Sequence, residues 1–156
     1  MKNVKFLLSA ALVFLASAAL AQDFSAPQYA KWGATPEERE QNILNSNFLK
    51  ESCDNRDYDA AAHYLKGLID KIPDAAESIY QRGAVVYKNK INRAKSVAEK
   101  NMFIDSLMLM YDMRAQYFGD NVKPGKTAFI LDQKAREFLR YKPNDRKGIR
   151  EAFRAA

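Results

Sequence analysis

The sequence predicts an all-α protein, and three observations carry that expectation. Apolar residues recur at three- and four-residue steps, as at Tyr58, Ala61, Leu65 and Leu68, so each set shares one helix face. Residues that start and stop helices bound these segments: Asp57 stands before this one and Pro73 after it. No stretch alternates apolar and polar residues convincingly enough to be read as a strand.

Residues 1–21 stand apart from that fold. Lys2 and Lys5 open a positive start, Phe6 to Leu15 is an apolar run, and Ala19-Leu20-Ala21 is an A-x-A cleavage site. That is the layout of a secretory signal peptide, cut between Ala21 and Gln22. The run is short for a membrane span, which needs about 20 apolar residues. Gln22, not a cysteine, stands directly after the cut, which argues against a lipoprotein anchor. The expected product is exported to the periplasm or cell envelope of a Gram-negative bacterium, with no transmembrane segment once the signal is removed.

The chain is 47% hydrophobic and 28% charged, a balance that excludes a disordered chain. Its net charge of +6 falls to +4 when the two signal-peptide lysines leave, since 23 basic residues then face 19 acidic ones. Outside the cytoplasm that mild excess points to acidic partners, anionic lipid or polysaccharide, and away from nucleic acid. Cys53 is the only cysteine, so no internal disulfide forms. It is read as a small buried apolar residue in preference to a thiol that pairs between chains.

The elements follow in order. Residues 22–34 read as an extended lead-in punctuated by Pro27 and Gly33, with Phe24, Tyr29 and Trp32 laid across the first helix pair. Thr35-Pro36-Glu37-Glu38 is a strong helix start, with Thr35 as cap, Pro36 at the first position and Glu38 completing a capping box. That helix runs to about Asn55 on a stripe of Ile43, Leu44, Phe48 and Leu49. The turn Asp54-Asn55-Arg56-Asp57 hands over to a second helix that ends at Pro73.

Asp74 is expected to start the third helix, with Glu77 at the capping-box position and Ile79, Gly83, Val86 and Tyr87 on one side. Gly83 inside a helix costs about 1 kcal/mol relative to Ala, which suggests close approach of the preceding helix. From Ile91 to Phe118 there is no Pro or Gly. Read as one helix, this stretch spans about 42 Å. Its stripe includes Ile91, Ala98, Met102, Asp105, Met108, Tyr111 and Phe118, and Leu107, Leu109, Met110 and Met113 widen it, so contact from two sides is expected. Its methionines, Met102, Met108, Met110 and Met113, are read as core packing in preference to a yielding binding surface. Gly119-Asp120 ends the helix. A shorter helix covers about Thr127 to Tyr141, and a last segment after Asp145 holds Ile149, Ala152 and Phe153 without a C-cap, a pattern that continues in a longer repeat protein.

Ala61-x3-Leu65 followed by Pro73 fits the later half of the tetratricopeptide (TPR) pattern, a small residue, a large apolar one and a closing Pro. The earlier half is degraded: Asn45, Phe48, Leu49 and Ser52 stand where that family has Trp, Leu, Gly and Tyr. Gly83 lies 34 residues beyond Leu49, in the place of the family's glycine, with Ile79 and Val86 at the expected offsets. The period then slips, because Lys95 stands where a small residue belongs and Ala98-x3-Met102 supplies the pair three residues late. That implies a longer turn around Lys88 to Asn92.

The chain thus resembles a divergent TPR protein from about Ile43 to Val86, and the run Asp105 to Gly119 with its signal peptide is similar to exported bacterial members. The resemblance implies antiparallel helix pairs stacked over residues 35–156 as a right-handed solenoid, with a concave face for peptides or partner proteins. It implies no catalysis and no cofactor. By the same carry-over, Lys50, Tyr80, Ala84, Tyr87 and Lys88 are the candidate partner-binding residues.

Catalytic and metal chemistry find little support. His63 is the only histidine, so neither H-E-x-x-H nor a paired E-x-x-H site can be built. A Cys53–His63 nucleophile pair has no orienting third group or oxyanion hole set up beside it. The pairs Glu37/Glu38 and Asp57/Asp59 sit at helix starts, where acids complement the dipole. Basic residues gather at Lys88 to Lys100 and again from Lys123 to Arg154. The expected function is a non-enzymatic scaffold for a protein or peptide partner; the alternative is a structural envelope protein docking on anionic lipid or polysaccharide through its basic C-terminal third.

Overall fold

Thr35 starts the first long helix as its residue type dictates. Its side chain accepts from the Glu38 amide at 3.2 Å while the Glu38 carboxylate accepts from the Thr35 amide, a complete capping box with Pro36 at the first position. In this computed structural model, which describes residues 22–156, helices follow as α1 (Pro36–Asp54), α2 (Tyr58–Lys71), α3 (Glu77–Arg93), α4 (Val97–Phe118), α5 (Lys126–Tyr141) and α6 (Arg146–Ala155). Among the described residues there is no strand, so the all-α class holds. The segment read as a signal peptide lies outside the described residues.

The lead-in is not extended throughout: Pro27–Trp32 forms a 3-10 helix. Arg39 of α1 straps it down, donating to the carbonyls of Gly33 at 2.9 Å and Phe24 at 3.1 Å, and Asn42 donates to the Trp32 carbonyl at 2.8 Å. Trp32 packs against the main core.

Two helix boundaries differ from the sequence expectation. α3 begins at Glu77 rather than after Asp74, and Ala76 precedes it without a side-chain cap. Glu77 is instead occupied by Arg114 at 2.9 Å and Lys126 at 2.7 Å, so its carboxylate ties α3 to α4 and α5. The run Ile91 to Phe118 is two helices, not one. Ala94 turns extended (φ −59°, ψ 132°), and Ser96 caps α4 by accepting from the Glu99 amide at 3.1 Å. The turn therefore falls at Ala94–Ser96, later than Lys88–Asn92.

Two apolar clusters hold the helices. Leu49, Tyr58, Ala61, Leu65, Leu68, Ile79, Tyr80, Val86 and Met110 form the first; Ile91, Ile104, Leu107, Met108, Tyr111 and Ile130 form the second. α4 joins both, contacted by α3 on one side and α5 on the other, as its wide apolar surface requires. Gly83 serves a close approach. A Cβ there would stand 2.7 Å from Met110 Sδ and 3.2 Å from Leu65 Cδ1, so α4 crowds this point more than the preceding helix does. Cys53 is half-buried against the first cluster, and burial pushes its thiol pKa up.

Candidate binding groove

α2 and α4 both pack on α3, yet no Cα of one lies within 8 Å of the other. The end of α3 meets the start of α2, where Lys90 pairs with Asp59 and the Arg93 guanidinium lies 4.9 Å above the Tyr58 ring. The start of α3 meets the end of α4, where Tyr80 packs against Tyr117 and Phe118. α2 and α4 thus run alongside each other across α3 and leave a groove of about 540 Å³.

Side-chain directions on α4 explain why the groove is apolar. Leu107, Met108 and Tyr111 turn into the core, which leaves Met102 and Leu109 outward, 55% and 51% exposed. Leu65, Tyr87 and Met110 lie beneath, and Ile69 and Phe103 complete the apolar lining. Two methionines give this lining a soft, adaptable surface. At the rim, Lys66 and Asp70 pair at 2.5 Å, and the Asp70 hydrogen bond raises the Lys66 pKa. Lys90 closes one end, its ammonium 5.1 Å from the Phe103 ring centre. The Lys90 hydrogen bond holds the Asp59 carboxyl below its ordinary pKa. His63 also lines the groove, set edge-on to Tyr64 at 5.5 Å.

The five candidate partner residues do not assemble into one open surface. Lys50 is exposed on α1 and pairs with Asp54 at 2.6 Å. Tyr80 is 1% exposed; its hydroxyl donates to the Pro73 carbonyl at 2.6 Å, and burial raises its pKa. It is a core residue, not a contact for a partner. Ala84 packs against the second cluster, and Lys88 meets Glu137 of α5 at 2.6 Å. The α3 face carrying Tyr80, Ala84 and Lys88 is therefore covered by α4 and α5. Of the five, only Tyr87 lines the groove, half-buried beside Phe103.

Met102 and Leu109, part of the apolar surface expected of the long helix, face outward on α4, and that helix begins only after the break at Ala94–Ser96. The signal for that break was in the sequence as Ser96-x-x-Glu99, a capping-box spacing. A second hollow of about 640 Å³ lies between α4, α5 and α6, lined by Asp105, Asp112, Asp145 and Glu151 with Lys134 bonded to Asp112 at 2.5 Å. Among the described residues no group of three or more His, Cys, Asp or Glu is arranged to hold a metal ion, and no helix is long and apolar enough to cross a membrane. Comparison with protein-family models, with curated proteins and with solved structures finds no match to this chain.

Proposed function

We propose that this protein is a non-enzymatic helical scaffold that holds a segment of a partner protein in the groove between α2 and α4. One observation carries the reading: Met102 and Leu109 stand exposed over an apolar floor in a concave site about 540 Å³ in volume. Exposed apolar surface gathered in a concavity marks a contact site far better than scattered surface leucines do. Export to the envelope and a TPR-like solenoid belong to the same proposal. The signal-peptide layout of residues 1–21 supports the first and the Ala61-x3-Leu65…Pro73 spacing the second.

A photo-crosslinking residue in place of Leu109, used in the native envelope, tests the reading. It should yield a discrete cross-linked protein that disappears on adding Met102→Ser. An unchanged product with Met102→Ser in place would overturn it.

A second reading has its own observation. Beyond Asn121 the chain carries ten basic residues against four acidic ones. Arg146, Arg150 and Arg154 share one side of α6, and among the described residues none of the three makes an ion pair. That surface suits anionic lipid or polysaccharide. Co-sedimentation with phosphatidylglycerol vesicles that is lost between low and moderate salt supports it; salt-insensitive behaviour removes it.

A further inference from the structure

The groove differs in charge from one end to the other, and that difference identifies the chemistry of its occupant, provided the groove is the partner site proposed above. At the end formed by the starts of α2 and α4, Lys90, Arg93 and Lys95 gather with Tyr58 and Phe103 around a hollow of about 230 Å³. Lys90 and Phe103 line both this hollow and the groove, so the two adjoin across that pair.

Two acids share the hollow, and both are engaged. Asp59 neutralises Lys90, and the Glu99 carboxylate accepts from the Lys95 amide at 2.7 Å. Among the described residues, neither the Arg93 guanidinium nor the Lys95 ammonium makes an ion pair. Arg93 is held in place by stacking on Tyr58, which pre-organises its donors for a carboxylate. At the opposite end the charged pair Lys66–Asp70 is self-compensating, beside Ile69 and Leu109.

We propose that the groove takes an extended peptide whose apolar side chains lie against Met102 and Leu109, and whose acidic side chain is held by Arg93 and Lys95. The path from Val97, two residues after Lys95, to Leu109 measures about 18 Å along α4, which an extended chain covers in about six residues. A carboxylate there gains charge-assisted hydrogen bonds from two cations, neither of which makes an ion pair among the described residues.

Fluorescence anisotropy on the full chain tests this with two labelled hexapeptides of leucine and alanine, both amidated at the C-terminus, one ending in two aspartates and one in two asparagines. The aspartate peptide should bind about fivefold to tenfold tighter, as two surface ion pairs allow. The double variant R93Q/K95Q should erase that difference and leave the asparagine peptide unaffected. Equal binding of the two peptides to the unaltered chain overturns the proposed polarity while the groove survives. No binding of either peptide removes both. If dodecanoate binds and displaces nothing because no peptide is bound, the site belongs to an acyl chain, and the peptide proposal falls.

Discussion

The Lys88 ammonium of α3 sits 2.6 Å from the Glu137 carboxylate of α5, across a face that the TPR resemblance assigns to a partner. Glu137 is 9% exposed and also meets Arg140 at 3.4 Å. Burial alone would lower the Lys88 pKa, but the Glu137 hydrogen bond and charge together with Tyr111 outweigh it and the net shift is upward. This contact fills the α3 surface from within the chain, so the partner site proposed above lies on the other side of α3.

Breaking that pair should loosen α5. Glu137→Ala leaves a half-buried lysine without its partner and should cost about 1–2 kcal/mol, read as a lower urea midpoint. Because the Lys88 pKa is raised, its contribution is present at neutral pH and lost as pH climbs through its folded value, above 10.5. The variant should therefore show a weaker alkaline decline than the unaltered protein. An identical urea midpoint would remove the pair from the account of how α5 is held.

Glu77 gives the acid counterpart. Burial pushes its pKa up, yet hydrogen bonds from Lys126 and Arg114 more than offset that and hold it below the ordinary 4.5. Stability from this group is then present above pH 4.5 and lost as pH falls through the folded value. Glu77→Gln should flatten the acid limb of a stability–pH profile. An acid limb unchanged in the variant would contradict the assignment.

Tyr80 should behave as a core residue. Tyr80→Ala removes a ring packed among Tyr117 and Phe118 and should cost about 3–5 kcal/mol. Tyr80→Phe loses only the hydrogen bond to Pro73, about 1 kcal/mol. Loss of partner binding by Tyr80→Phe at unchanged stability would restore Tyr80 to the contact surface.

Gly83 offers a test of the α3–α4 approach by double-mutant cycle. Gly83→Ala gains about 1 kcal/mol of helix propensity, but its Cβ meets Met110 Sδ at 2.7 Å. Crowding of that kind costs about 1–3 kcal/mol, so the single variant should be less stable. In a Met110→Ala background the same change should turn neutral or stabilising. Additive effects would show that Met110 does not enforce the glycine.

The helices themselves were legible because their signals are local. Thr35-Pro36-Glu37-Glu38, Asp57 and Pro73 act within a few residues of the chain, and the structure keeps all three boundaries. Ser96 and Glu99 carried an equally local signal, masked by an apolar run that continues through the break. The binding surface was not legible in the same way. Whether Tyr80 faces a groove or a core depends on where Tyr117 and Phe118 arrive, nearly forty residues later, and helical periodicity does not encode that. Likewise Met102 and Leu109 read as core because apolar spacing reports that a face is covered by something, not by what.

The central claim is that the α2–α4 groove, and not the covered α3 face, binds the partner segment. Titrating the labelled leucine–alanine hexapeptide ending in aspartates against the unaltered chain and against M102S/L109S tests it most directly, with thermal unfolding recorded in parallel. Both substituted residues are half exposed, so the unfolding midpoint should hold while affinity falls at least tenfold. Equal affinity for the two proteins at equal stability would contradict the account.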